Sequence, residues 1–477
     1  MLNPTQMTPQ QARHLLIRTG FAPTQAEVDK LVGLSVQRAV ADILTSAVAA
    51  KPKHSPPAFV NQASPTPPNQ LKTVEERQEQ RRAQIAEGVE LKAWWLREML
   101  ETPTPLAERM VLFWHNHFAT SQQKVVSSQA MWRQHQLFRS HALGSFASLL
   151  HGIAKDPAML VYLDAANSRR ESPNENFARE VMELFTLGEA TQGGGYNEQD
   201  IKEVARAFTG WSVDRDNFSY KFRAPAHDIF SKTVLGKVGN FNGDDVLNIM
   251  LEQAACGEFI VGKLWKEFVS PTPTTADMAE IKRIAKRFAN SGYAIDAVLA
   301  DLFTTNAFWA DSNRGSLIKS PIDLVVGTVR QFGFSYNDVL PFVLKTGQLG
   351  QNLLMPPNVK GWPGHTDWIN ATTLLERKSF TQQLFRSTEP VANQTMNPAM
   401  GRMARFKVGK AEATMALDAD AFLRPYGGRA DSVPNEASKT VLAEVLFASS
   451  ATQNIANGTV GVAYLRTLTL DPAYQLK

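Results

Sequence analysis

The sequence predicts a mostly α protein: a large multi-helix body with a small β-hairpin insertion and long loops. Three observations point there. From residue 105 onward, apolar residues recur at three- and four-residue spacing with few breaks. Helix-start signals recur, as at Asp156-Pro157 and at Asn197-Glu198-Gln199-Asp200, where Asp stands in for the Glu of a capping box. Strand-like patterning is confined to 218–222 and 232–235, flanking Pro225-Ala226-His227-Asp228.

In chain order, helices are predicted at 9–19, 24–32 and 36–46, with Gly20-Phe21-Ala22-Pro23 dividing the first two. Residues 49–70 are proline-rich without periodicity and read as an extended connection. A long helix follows at 71–100, charged in its first half and apolar near Trp94, Trp95 and Met99. Then come 105–118, 127–140, 144–153, 157–164, 174–187, 198–209, 244–254, 257–268, 274–290 and 293–304. The last are 320–332, 336–347, 367–386 and 435–449. Residues 388–430 lose periodicity and read as a partly ordered excursion. The organisation expected is an N-terminal helical appendage (1–48), a linker (49–70), a main helical domain (71–387) and a loosely ordered segment with a C-terminal helix (388–477).

Composition bounds the function. Of the 477 residues 43% are apolar and 20% charged, ordinary for a globular chain, and a net charge of +4 concentrates no nucleic-acid footprint. One cysteine, Cys256, excludes an intrachain disulfide and a thiolate metal site. No apolar run has the length of a membrane span or a signal peptide, so a cytoplasmic location is expected unless a partner carries the chain to the periplasm. No G-x-S-x-G, HExxH or Walker motif is present.

Several blocks in order, PLAERMVLFWHNHFAT (105–120), NENFAREVMELFTLG (174–188), YNEQDIKEVARAFTGW (196–211), FIVGKLWKEFV (259–269), IKSPIDLVVGTVRQFG (318–333), LGQNLLMPPNVKGWPGHTDWINATTLLER (349–377) and LRTLTLDPAYQ (465–475), resemble the bacterial family called domain of unknown function 1800. The resemblance implies a large, mainly helical bacterial protein without a settled activity. It also implies a neighbour in gene order that is sulfatase- or phosphatase-like and often exported, hence a candidate partner protein. It carries over no catalytic residues.

The candidate site starts from 174–187. At 100° per residue, Asn176, Arg179, Glu180 and Glu183 share roughly a 100° arc beside the apolar Phe177, Val181, Leu184 and Phe185. Such a helix packs on a core and borders a cleft. Glu180 and Glu183, three residues apart, suit acid/base work or a divalent metal, while their plain alternative is an ion network reaching Arg206 or Lys202. The cofactor stays open. His115 and His117 in WHNHF point about 200° apart on a helix and cannot share one ion there. His227 beside Asp228 is a second acid/base candidate or a capped turn. Arg179 and Arg206 would hold an anionic group. Trp362, His365 and Trp368 form either a core plug or a stacking platform for a sugar or other flat ligand, with Asp367 placed to cap the next helix. The sequence thus predicts a hydrolase acting on a polar cell-envelope substrate, a glycan or an ester, through a carboxylate/histidine cleft. The alternative is a non-enzymatic helical partner or chaperone of an exported protein.

Overall fold

Helix starts in the computed structural model are set by local chemistry. Thr8, Thr24 and Thr73 each accept a hydrogen bond from the backbone N–H three residues on, and Gln11, Glu27 and Glu76 return it. Asn197 and Asp200 form the same reciprocal pair ahead of Glu198–Ala207. The structure describes residues 6–62, 65–66, 70–214, 216–386 and 404–477. These are mostly α, and their buried apolar side chains form one continuous core running from Met7 to Tyr474. None of the described helices is long and apolar enough to cross a membrane.

The long helix Val74–Glu101 exposes its charged first half and buries Leu91, Trp94, Trp95, Leu96 and Met99. Pro105–His117 is buried on nearly every side and packs against Ser128–His141. A helix not anticipated from sequence, Gly461–Leu470, lies along Ala371–Arg386. Its β-branched Val462, Thr467 and Thr469 are weak helix formers, and burial of Val462, Leu465 and Leu468 decides the outcome.

The strands also differ from expectation. Segments 218–222 and 232–235 do not pair with each other. Ser219–Phe222 pairs antiparallel with Trp211–Asp214, and Lys232–Val234 with Lys237–Gly239. Leu235 and Gly236 both take positive φ, 48° and 80°, which gives the second pair its tight turn. Between the two hairpins the chain folds back on Gly210, whose carbonyl accepts from the Arg223 N–H at 2.7 Å. Residues 388–403 of the expected excursion lie outside the described residues. The rest contributes Ala404–Val408 and Ala411–Ala416, a hairpin extended by Ser335–Tyr336.

Candidate functional site

The helix bearing the polar stripe is not uniform. Glu175–Glu180 is α-helical with Asn174 as its N-cap, and Val181–Thr186 continues as a π-helix. The wider turn shows in the Leu187 N–H donating to the Met182 carbonyl at 2.7 Å, and Thr186 Oγ1 donates to the Val181 carbonyl at 2.7 Å. Inserted π turns recur at functional sites. Here the insertion lies beside the two carboxylates of interest.

Glu180 and Glu183 are both half-buried. Burial, and then the neighbouring Glu183 charge, raise the Glu180 carboxyl above its ordinary range against the pull of Lys360 and Arg179. Lys360 Nζ stands 3.2 Å from Glu189 and 4.0 Å from Glu183. Arg179 forks onto Glu198, with contacts of 2.8 and 2.7 Å, and so ties this helix to the start of Glu198–Ala207.

Lys360 belongs to the loop PPNVKGWPGHTDW, which lies across the end of Pro105–His117. The Trp362 N–H donates to Asn116 Oδ1 at 2.6 Å. Gly361 permits this approach. It has φ 91°, and a Cβ there would stand 2.5 Å from the Asn116 carbonyl oxygen. The Trp362 and Trp368 side chains are 5% and 6% exposed, so they are mainly packing groups whose edges reach the cleft. His365 adopts φ 54°. The next helix begins at Ala371 and is capped by Asn370, whose Oδ1 accepts from the Thr373 N–H at 2.9 Å; Asp367 lies in a preceding 3-10 turn and does not cap it.

Beside this loop is a cleft of about 400 Å³ lined by Trp362, His365, Trp368, Asn116 and His117. Its charged lining is cationic on balance: Arg109, Lys263, Lys266, Lys360 and Lys477 against Glu267 and Asp323. At the base, Asp323 takes Arg109 and also Lys477, whose Nζ is 2.7 Å away. Burial would raise the Asp323 carboxyl, but Arg109 and Lys477 prevail and hold it far below its usual range. Of the remaining lining cations Lys263 is half-buried, whereas Lys266 and Lys360 are exposed, Lys360 pairing with Glu189.

Lys263 was not singled out by sequence. Its Nζ lies 3.0 Å from His117 Nδ1, and burial, then Lys266, push its ammonium down to about 8. The opposite ring nitrogen, His117 Nε2, is 3.1 Å from the Phe185 carbonyl in the π turn. A carbonyl only accepts, so Nε2 carries the proton and Nδ1 accepts from Lys263. Burial, then Lys263, keep His117 neutral. His115 faces elsewhere, between Trp95 and Trp362, and neither ring nitrogen has a hydrogen-bond partner among the described residues. Burial pushes it down to about 3.

His227 and Asp228 form a different group. Asp228 accepts from Arg206 at 2.7 and 3.2 Å and from the Phe230 N–H at 2.9 Å. Burial favours its protonation, but the Arg206 hydrogen bonds win and hold the carboxyl low. His227 Nδ1 lies 2.9 Å from the Thr209 carbonyl. Arg206 also pairs with Glu203 at 2.7 Å and lines a separate shallow hollow with Asn197, Asp200 and Thr233. Glu180, Glu183 and Arg179 therefore converge with Lys360, which leads to Trp362, His365 and Trp368. Arg206, His227 and Asp228 converge with each other, and the two groups share no hydrogen bond or ion pair among the described residues. Nor do three or more His, Cys, Asp or Glu gather as metal ligands among the described residues. Buried Cys256, its thiol pushed up to about 12 by burial, is no nucleophile.

The fold and site define a helical protein with a cationic, tryptophan-walled cleft whose Lys360 reaches the Glu183 and Glu189 carboxylates outside its lining. The family model described as protein of unknown function (DUF1800) matches residues 14–476, and the chain belongs to that family. No curated protein matches it. No solved structure matches it either.

Proposed function

We propose that this protein is a hydrolase acting on a polar, negatively charged substrate, an acidic glycan or ester of the cell envelope, bound in the cleft beside residues 356–368. One observation carries the reading: Lys360 faces the Glu183 and Glu189 carboxylates while its own loop walls the cationic cleft. Lys263 and Lys266 would hold the substrate's anionic group, with the indole edges of Trp362 and Trp368 against its apolar surface. Glu180, kept protonated more readily by burial and by Glu183, would donate its proton to the leaving oxygen. Glu183 would take a proton from the attacking water, and the broken C–O bond gains the elements of water. Arg179 positions the helix through Glu198. In this reading Arg206 with Asp228 and His227 holds the neighbouring turn.

The test is turnover of chromogenic anionic substrates, aryl glucuronides and carboxylated aryl esters, by the wild type and by Glu180→Gln. Hydrolysis lost in the variant at unchanged melting temperature supports the reading. Equal rates, or no turnover of either class, contradict it.

A second reading, a binding partner of an exported protein such as a sulfatase- or phosphatase-like one, is favoured by a separate observation. Ile229, Phe230 and Val238 on the hairpin segment are 63%, 70% and 71% exposed. Apolar side chains gathered on one exposed segment mark interaction surfaces. Charged substitutions at Phe230 and Val238 that abolish capture of the gene-order neighbour, leaving turnover intact, would establish it.

A further inference from the structure

A second hollow lies away from the cationic cleft. It has a volume of about 860 Å³ and opens between the helices Val74–Glu101 and Ser128–His141 and the hairpin Trp211–Phe222. That volume is within the range of pockets that hold a small-molecule ligand. We propose that it binds an uncharged oligosaccharide.

Backbone conformation supplies the first reason. Val126, Asp164 and Phe218 all line this hollow and all adopt left-handed φ, at 64°, 59° and 53°. A β-branched valine in that region is uncommon, and residues held there cluster at ligand-binding sites. The Val126 side chain is 44% exposed at the wall of the hollow.

Charge balance supplies the second. Arg133, Lys221 and Arg223 are matched in number by Asp164, Asp214 and Asp216. The cations are engaged within the protein. Arg133 donates to the Asn217 and Phe218 carbonyls at 3.0 Å each, Lys221 reaches Asp214 at 3.3 Å, and Arg223 donates to the Ala166 carbonyl at 3.3 Å. Asp164 is taken by Lys124 at 2.7 Å. Among the described residues this lining carries as many carboxylates as cations, in contrast to the cleft beside Lys360.

The side-chain chemistry supplies the third. The amides of Gln84 and Asn167 face this hollow without any hydrogen-bond partner among the described residues. Ser127 and Ser212 add hydroxyls, and Leu160, Val213 and Phe218 add apolar surface. A primary amide donates and accepts at once, as a sugar hydroxyl does, and the apolar patches suit the C–H faces of a pyranose ring. Uncharged hydroxyl-rich ligands match this mixture, whereas a peptide would need backbone-pairing edges.

The site is independent of the proposed hydrolytic cleft, so its test separates the two. Calorimetric titration of the full chain with cellotetraose, maltotetraose and chitotetraose should give saturable binding to at least one. Asn167→Ala and Gln84→Ala, both at accessible positions, should each weaken it about fivefold at unchanged melting temperature. Lys360→Ala should leave it unaltered. The proposal is overturned if none of the three sugars binds, or if binding persists undiminished in both amide variants. It is also overturned if Lys360→Ala alone abolishes binding, which would move the sugar to the cationic cleft.

Discussion

Replacing Gly361 by alanine tests how the tryptophan loop is held over the site. The glycine has φ 91°, and an added Cβ would stand 2.5 Å from the Asn116 carbonyl oxygen and closer still to its side-chain oxygen. The carbonyl is part of the helix Pro105–His117 and cannot swing aside. An L-residue held at such a φ costs about 1–3 kcal/mol. Loss of the Trp362 N–H bond to Asn116 adds about 1 kcal/mol, so the total is about 2–4 kcal/mol. With an unfolding entropy of about 2.1 cal/mol/K per residue, 477 residues give about 1 kcal/mol/K, and the melting temperature should fall by about 2–4 °C. Gly364, three residues on, has a conventional φ and nothing within 4 Å of a Cβ. Gly364→Ala should therefore change stability by less than about 0.5 kcal/mol. Differential scanning calorimetry of both variants decides the matter. If they melt alike, the loop is not held by close contact with Asn116, and the placement of Lys360 and Trp362 loses its basis.

Three further outcomes are expected. Burial pushes the Asp156 carboxyl up to about 7 from an ordinary 3.8, so folding favours its protonated form and stability declines as pH rises through 7, by a total on the order of 4 kcal/mol. Asp156→Asn, which keeps an oxygen for the Met159 N–H, should be more stable than the wild type in urea at pH 8 and lose that advantage at pH 4; equal differences at both pH values would contradict this. The Lys263 ammonium is held low, at about 8 against 10.5, so its cost is felt below pH 8 and disappears as pH approaches 10.5. Lys263→Met should gain about 1–3 kcal/mol at pH 7 and little at pH 10 while losing anion binding, and destabilisation at pH 7 would refute the cause assigned. Asp323 is held low, so its stabilisation is present above pH 3.8 and is lost below it. Asp323→Asn leaves Arg109 and Lys477 buried without their shared carboxylate and should cost about 3–5 kcal/mol in urea unfolding at pH 7, with a loss under 1 kcal/mol contradicting that role.

The helical architecture was legible because its signals are local. Caps such as Thr8, Thr73 and Asn197 and apolar spacing located most helices. The convergence of Glu180 and Glu183 was legible for the same reason, being set by helical spacing. What escaped the sequence depends on long-range packing. The π turn at Val181–Thr186 has no residue signature. Lys263 looks like an ordinary polar residue in GKLWKEF until His117, from a helix nearly 150 positions earlier, is seen against it. The pairing of Lys232–Val234 with Lys237–Gly239 was hidden because Leu235, a poor residue for positive φ, occupies a turn position usually given to Asn or Asp. Indole burial was a question the sequence posed and left open. Trp362 and Trp368 are core groups that also edge a cleft.

The cationic cleft is probed most directly by calorimetric titration of glucuronate and its neutral counterpart glucose into the wild type and the double variant Lys266→Ala/Lys360→Ala, at two salt concentrations. Preferential glucuronate binding that weakens with salt and is lost in the double variant is the outcome expected from exposed lysines on the lining. Equal affinity for the two sugars, or glucuronate binding that survives removal of both lysines, would contradict it.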